Sequence, residues 1–255
     1  MADDPQPRIP AWPPKSAPRL FVASELQKGG EVRIEGNQAH YLSRVMRVGP
    51  GSVVILCDNM TGEWACEVVE AAKRHVRLGV KQRLAPRENV PDLWLCPALL
   101  KKDRFDLVLE KATELGAAKI QPVITRRCVA DKLNLDRAAA ITIEAAEQCA
   151  RTALPEVQEP ETLKALLNHW PADRHLFFAD EEGGEPANEA FSSWNGPAGL
   201  LVGPEGGFDT AEREAIRAHT AAFPISLGPR ILRGETAAIA ALSVWMATSG
   251  DWGRH

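Results

Sequence analysis

The sequence lacks the long apolar runs and the leader segment that mark membrane and secreted proteins. No apolar run approaches the roughly 18 residues that a membrane-spanning helix needs, and the longest, residues 93–100, lies between an aspartate and a lysine. The first 18 residues contain six prolines and no apolar core segment, so we expect a flexible extension rather than a secretory signal. These absences predict a soluble, cytoplasmic protein.

Paired cysteines and clustered metal ligands are missing as well. The five cysteines are odd in number and scattered, which is typical of buried, reduced thiols. The six histidines include no His-x-x-x-His pair on a predicted helix, so we expect no metal site. The cysteines are Cys57, Cys66, Cys96, Cys128 and Cys149.

What is present is typical of a globular protein: 255 residues, of which 45% are hydrophobic, 25% charged and 6% aromatic. That length allows one large domain or two small ones. The net charge of −4 argues against a nucleic-acid partner, but the charge is uneven along the chain. Residues 19–85 carry ten Lys or Arg against seven Asp or Glu, whereas residues 86–255 carry 18 against 25. The first of these segments therefore carries a net charge of +3, which is compatible with a nucleic-acid partner.

Alternating apolar residues from Arg19 to about Ala85 predict a set of short strands. The turn-forming segment 58–62 predicts a hairpin between two of them. About five such strands suggest a small β-barrel domain over residues 19–85.

One helical stretch, Gln38–Val48, interrupts these strands. It has an apolar stripe on one face, and on another His40, Arg44 and Arg47 recur at positions i, i+4 and i+7. Such a row can contact phosphates, although a solvated amphipathic face is the alternative. The other candidate phosphate contacts in this domain are Arg19, Lys73, Arg74, Arg77, Lys81 and Arg83.

The polar segment 86–92 contains two prolines and predicts a linker, after which apolar strands alternate with helices. This pattern predicts an α/β domain over residues 86–255, with a mostly parallel sheet covered on both faces. The predicted strands are Leu93–Leu100, Ile120–Ile124, His175–Ala179, Gly199–Val202 and Phe223–Leu227. The predicted helices are Asp103–Leu115, Asp136–Arg151, Leu163–Trp170, Asp209–Thr220 and Glu235–Thr248.

Two loops follow predicted strands at the edge where α/β sheets bind ligands. The first, residues 200–208, has three glycines in five positions, which lets a ligand approach the backbone. Asp209 and Glu212 then have capping-box spacing. The loop matches neither the dinucleotide nor the Walker-type phosphate motif, and a tight strand-to-helix turn is the alternative.

The second loop, residues 226–237, places Arg230, Arg233 and Glu235 between a strand and a helix. A carboxylate near a helix N-terminus is favoured by the helix dipole, and the free amides there can hold an anion. An ordinary capping carboxylate with solvated arginines is the alternative.

These loops together resemble the RsmE family of ribosomal RNA methyltransferases, which belongs to the SPOUT superfamily. Gly-Pro-Glu-Gly-Gly-Phe at 203–208 is followed about twenty residues later by Leu-Gly-x-Arg-Ile-Leu-Arg-x-Glu-Thr-Ala at 227–237. The resemblance covers about residues 19–249 and departs from the family at Gly234, where a larger residue is common, and in the proline-rich first 18 residues. Further matching segments are residues 39–42, 44–47, 111–116 and 144–148, and Arg151.

The resemblance implies a PUA-like RNA-binding barrel followed by an α/β domain whose C-terminal segment forms a trefoil knot. It also implies a homodimer with the site at the subunit interface and S-adenosylmethionine held in the knot. The implied reaction is methyl transfer to N3 of one uridine in 16S ribosomal RNA of the small subunit. The implied cofactor contacts are Leu201, Val202, Gly203, Pro204, Glu205, Gly206, Leu227, Gly228, Ile231, Leu232, Thr236 and Ala237.

Three residues are candidates for the chemistry. We expect Arg151 to stabilise the negative charge that develops on the uracil, although an arginine that interacts with a helix C-terminus is the alternative. Glu205 and Glu235 are candidate bases, and water or the intact RNA could also accept the proton. Arg126 and Arg127 are candidate RNA contacts of the acidic domain. The competing functions are a non-catalytic RNA-binding or ribosome-assembly protein and a SPOUT methyltransferase that acts on transfer RNA.

Overall fold

The structure is a computed structural model that describes residues 13–14 and 16–253. It divides into two compact units, Met1–Glu88 and Asn89–His255. Most of the predicted flexible extension, residues 1–18, lies outside the described residues.

The first unit is built on one five-stranded sheet, as the alternating pattern predicts. Its order is β1-β3-β4-β5-β2, with β1 parallel to β3 and the other pairs antiparallel. Buried residues such as Leu56, Cys66 and Leu78 fill the core on one side of the strands. The strands are β1 (Arg19–Phe21), β2 (Glu31–Glu35), β3 (Val53–Cys57), β4 (Gly62–Ala71) and β5 (His75–Pro86).

The predicted hairpin at residues 58–62 joins β3 to β4 and is organised by Asp58. Its carboxylate accepts hydrogen bonds from the backbone N–H groups of Leu26, Met60 and Thr61 and from the Thr61 hydroxyl. Burial opposes ionisation of Asp58, but the Thr61 hydroxyl and these N–H groups together lower its pKa. The charged side chain of Asp58 thus holds the turn together and fastens it to the loop between β1 and β2, which contains Leu26.

The helical stretch between β2 and β3 differs from its prediction at the C-terminal end. An α-helix, α1 (Gly36–His40), runs into a π-helical turn at Tyr41–Val45. Arg47 lies beyond this turn in the left-handed region, with φ 54°. The predicted row of three basic residues on one helical face is therefore wrong at Arg47, although His40, Arg44 and Arg47 are all exposed.

The second unit is an α/β fold, and its main sheet has seven strands in the order β12-β14-β11-β13-β6-β7-β9, all paired in parallel. Two further strands, β8 (Val123–Ile124) and β10 (Glu161–Thr162), form a separate parallel pair. The main strands are β6 (Leu93–Pro97), β7 (Lys119–Ile120), β9 (Glu156–Val157), β11 (His175–Ala179), β12 (Glu185–Pro186), β13 (Ala198–Val202) and β14 (Ala222–Ser226). The helices are α2 (Lys102–Glu114), α3 (Leu135–Cys149), α4 (Leu163–Asn168), α5 (Ala187–Ser192), α6 (Thr210–Arg217) and α7 (Gly234–Thr248).

Both faces of this sheet are buried, which explains why its central strands are apolar throughout. Successive residues of β13 point to opposite faces: Leu200 joins a core formed with α2, α5 and α7, and Leu201 joins a second core formed with α4 and α6. Phe177 and Phe178 of β11 divide between the two cores in the same way.

Several sequence predictions require correction. The strand predicted at Ile120–Ile124 is two short strands in different sheets, because Pro122 lies between them and lacks the N–H group that a continuous ladder needs. The helix α5 was not predicted, nor were the strands β9, β10 and β12, whose two residues each are too few for a periodic signal. Cys149 is exposed rather than buried because it ends α3.

No helix in the described part of the chain is long and apolar enough to span a membrane. Among the same residues, no cluster of three or more His, Cys, Asp or Glu side chains could hold a metal ion.

Candidate functional site

A cavity of about 210 Å³ lies at the carboxyl ends of β11, β13 and β14, where ligands bind in open α/β sheets. Both loops singled out in the sequence contribute to its wall, and a third loop, after β11, joins them. Eight of the predicted cofactor contacts line it: Val202, Gly203, Pro204, Leu227, Gly228, Ile231, Leu232 and Ala237.

Four predicted contacts do not line this cavity. Leu201 is fully buried in the core with α4 and α6, because the alternation along β13 turns it away from the side occupied by Val202. Glu205, Gly206 and Thr236 are exposed and lie outside the wall.

The third loop, residues 179–183, was missed in the sequence. It brings Asp180, Glu181 and Gly183 to the cavity, and Arg213 of α6 lies against the same wall. A recognisable signal existed, because Asp-Glu-Glu-Gly-Gly directly follows an apolar strand, as the other two loops do.

A network of ion pairs holds this third loop. The buried Asp180 carboxylate lies 2.6 Å from Nη2 of Arg217 and 3.3 Å from Nε of Arg213. Arg213 also lies 2.6 Å from Glu181 and makes a close contact with Glu182. The network supplies the buried Asp180 carboxylate with two counter-charges, without which its burial would be costly.

The Gly-Pro-Glu-Gly-Gly loop packs against the third loop. Gly207 has φ 66°, a left-handed conformation that favours glycine, and a Cβ atom there would lie 2.6 Å from an oxygen of the Glu181 carboxylate, so that side chain would have to move. The predicted capping box is confirmed at α6, where Asp209 and Glu212 exchange both hydrogen bonds. The backbone N–H of Glu212 lowers the pKa of Asp209, and Arg126 adds to this effect.

Arg126 and Arg127 are predicted RNA contacts, and both donate hydrogen bonds to residues of the segment 206–209. Nη1 of Arg126 donates to Asp209 at 2.9 Å, and Nη1 of Arg127 donates to the Gly206 carbonyl at 2.5 Å. Arg126 remains highly exposed. Their role in RNA binding stays a prediction, and their observed contacts support the loop.

The candidate bases Glu205 and Glu235 both pair with Arg104, a residue that the sequence did not point to. Nη1 of Arg104, in the first turn of α2, lies 3.2 Å from Oε1 of Glu205 and 3.5 Å from Oε1 of Glu235. Glu235 lies in the first turn of α7, as predicted, and is only 8% exposed. No sequence pattern links α2 to the two loops, so this meeting depends on the tertiary fold.

Arg151, the predicted charge-stabilising residue, lies away from the cavity wall. It is 4% exposed, and its guanidinium donates to the carbonyl oxygens of Thr113 at 2.6 Å and Ala117 at 2.7 Å. Thr113 lies in the last turn of α2 and Ala117 shortly after it, so this contact resembles the alternative interaction with a helix C-terminus. Its catalytic role stays a prediction.

In the first unit the structure separates two groups of candidate RNA contacts. Arg77 and Lys81 of β5 form ion pairs with glutamates of the neighbouring strands β2 and β4, and Arg19 of β1 pairs with Glu63 of β4. His40, Arg44 and Arg47 form no ion pair within the described residues, and exposed apolar side chains lie beside them in the chain. These apolar residues are Tyr41, Val45 and Met46. Lys73 and Arg74 are exposed, and Arg83 donates to the carbonyl of Thr61.

Two family models of RNA methyltransferases match the chain. The family model described as "RNA methyltransferase domain" matches residues 86–246, and the one described as "RNA methyltransferase PUA domain" matches residues 34–81.

Comparison with individual proteins identifies a more specific family among the RNA methyltransferases. The chain is 30% identical over 229 residues to "Ribosomal RNA small subunit methyltransferase E" of Rickettsia conorii, covering 88% of this chain and 93% of that protein. Identity to the Bacillus subtilis protein of the same name is 30% over 242 residues, or 88% and 94% of the two chains. The crystal structure of the Neisseria gonorrhoeae protein bound to S-adenosyl methionine matches with a TM-score of 0.84 and 27% identity, covering 92% and 99%. The chain belongs to the ribosomal RNA small subunit methyltransferase E family.

Proposed function

We propose that this protein transfers a methyl group from S-adenosylmethionine to N3 of one uridine in 16S ribosomal RNA of the small subunit. The cavity carries the proposal, because both loops that contain the family motifs line it. The solved relative from Neisseria gonorrhoeae is bound to S-adenosyl methionine, which supports the choice of cofactor. The target atom rests on the family resemblance alone.

The residues of the cavity suit this cofactor. Ile231 is 87% exposed although it lines the wall, so it offers an uncovered apolar surface on which an adenine ring can pack. Val202, Leu227 and Leu232 extend that surface, and Gly203 and Gly228 leave the backbone accessible. When bound, S-adenosylmethionine supplies an electrophilic methyl group on its sulfonium. The knotted chain path and the homodimer remain part of the proposal.

Methyl transfer to N3 also requires removal of one proton, because N3 of neutral uracil is protonated. Glu205 and Glu235 are the proposed acceptors, and both are held beside Arg104. Negative charge that spreads onto the flanking uracil oxygens would be stabilised by Arg151, an effect of about 3 kcal/mol for one such donor. Since Arg151 lies outside the cavity wall of its own chain, this role suits a site that a second subunit completes.

RNA contact is assigned to the first unit. Arg44 and Arg47 offer exposed positive charge and His40 an exposed imidazole, and none of the three has an ion-pair partner among the described residues, which leaves them available to phosphates. Tyr41 beside them offers a ring on which an unpaired base can stack.

Calorimetric titration with S-adenosylmethionine, followed by methyl-transfer assays on unmethylated small subunits and on free 16S RNA, tests the proposal. We expect cofactor binding and incorporation of N3-methyluridine. A protein that binds RNA but not the cofactor would support the non-catalytic alternative. Methylation of transfer RNA alone would contradict the proposed substrate.

A further inference from the structure

One nitrogen of Arg104 contacts two carboxylates, one from each of the two glycine-containing loops that line the cavity. Its Nη1 lies 3.2 Å from Glu205, in the loop after β13, and 3.5 Å from Glu235, in the first turn of α7. Arg104 itself belongs to α2, a third element. The guanidinium therefore links three separate segments of the chain.

The burial of Glu235 makes this link more than a surface ion pair. Glu235 is 8% exposed, and its second oxygen, Oε2, has no hydrogen-bond partner among the described residues. Within that same part of the chain, Arg104 is the one cation paired with Glu205 or Glu235. Without Arg104, a buried carboxylate would lose its counter-charge, and two carboxylates would no longer share a cation.

The neighbours of both carboxylates shape the cavity. Gly203 and Pro204, directly before Glu205, and Gly234, directly before Glu235, all line its wall. A change in the spacing between Glu205 and Glu235 would consequently change the distance between two walls of the cavity. The ion pairs of Arg104 with Glu205 and Glu235 can therefore affect the affinity for a ligand, although Arg104 does not line the cavity.

We propose that Arg104 is a positioning residue that sets the spacing of the two loops, and with it the affinity for S-adenosylmethionine. The inference rests on the proposed function, in which this cavity holds the cofactor. Arg104 acts through Glu205 and Glu235, since it is not itself part of the cavity wall.

A matched control is an ion pair that also involves α2, the helix that carries Arg104. Arg137 of α3 forms a two-pronged ion pair with Asp106 of α2, which joins helix to helix and contacts neither loop. Arg137→Gln removes an arginine–carboxylate pair anchored on α2, as Arg104→Gln does, but leaves the loops linked.

The test is calorimetric titration of the full chain with S-adenosylmethionine, with thermal unfolding recorded for every variant. We expect Arg104→Gln to weaken binding about tenfold, the loss that corresponds to one charge-assisted contact, and Arg137→Gln to bind like the wild type. Because a single nitrogen makes both contacts, Arg104→Lys should recover affinity to within about threefold. In a Glu205→Gln, Glu235→Gln background, Arg104→Gln should have no further effect.

Three outcomes overturn the proposal: wild-type affinity in Arg104→Gln, equal losses in Arg104→Gln and Arg104→Lys, or an undiminished loss in the double-glutamine background. A wild-type chain that does not bind S-adenosylmethionine contradicts the proposed function instead. The two failures are therefore distinguished by the first titration.

Discussion

Gly234 packs so tightly against Leu100 that a Cβ atom added to it would lie 3.0 Å from Cδ2 of the leucine and 3.2 Å from the carbonyl oxygen of Gly203. The sequence departs from the family resemblance at this glycine, where a larger residue is common. The structure supplies a reason: Leu100 fills the space that a larger side chain at position 234 would need.

We expect Gly234→Thr to lower the free energy of unfolding by about 1–3 kcal/mol, the usual cost of overpacking a buried site. In a Leu100→Ala background, where the space is vacant, the same change should cost less or become favourable. Urea denaturation of the four proteins measures this coupling. Equal costs in both backgrounds would show that Leu100 is not what excludes a side chain at position 234.

Glu181 and Glu182 form a natural pair for testing the third loop of the cavity. Both contact Arg213, but only Glu181 lines the cavity. Glu181→Gln should therefore weaken S-adenosylmethionine binding severalfold, because the carboxylate can accept hydrogen bonds from the ligand. Glu182→Gln serves as the control for the shared ion pair. Identical affinities for the two variants would remove Glu181 from the ligand contacts.

Arg151→Ala should destabilise the chain as well as test the predicted catalytic role. The guanidinium makes two hydrogen bonds to buried carbonyls, and each bond to a charged group contributes about 1.5–3 kcal/mol. At a temperature where the variant stays folded, we expect methylation to be abolished while cofactor affinity is nearly intact. If activity falls only in proportion to the unfolded fraction, Arg151 is a structural residue.

Salt dependence of RNA binding tests the surface around the π-helical turn. Each phosphate contact contributes a slope of about −0.7 to −0.9 in log affinity against log salt. Replacing both Arg44 and Arg47 by Glu should thus reduce the magnitude of the slope by about 1.5. Arg77→Gln is the control, since its guanidinium is already paired with Glu70 and Glu31. An unchanged slope in the Arg44 and Arg47 variant would exclude this surface from the RNA footprint.

Local sequence signals predicted most of the fold. The central strands and long helices of the second unit lie within a few residues of their predicted bounds, because apolar runs and helical periodicity report directly on burial. The predictions were wrong where a single residue overrides the pattern: Pro122 divides a strand, and Arg47 leaves its helix. A proline or a left-handed residue changes the backbone without changing the hydrophobic pattern.

The site was predictable where its residues are contiguous in the chain. The two glycine-containing loops are visible in the sequence, and eight of their predicted residues line the cavity. Arg104 lies about a hundred residues before the nearer of its two partners, and nothing local connects them. The alternation that sends Leu201 into the opposite core follows from strand geometry, but which side of the sheet borders the cavity depends on the tertiary fold.

The most direct test of the account is mass spectrometry of nucleosides and fragments from 16S ribosomal RNA of cells that lack this protein. We predict that one N3-methyluridine disappears, and that it returns when the wild-type chain is supplied. An RNA that keeps every N3-methyluridine, or that loses a different modification, would contradict the proposed reaction.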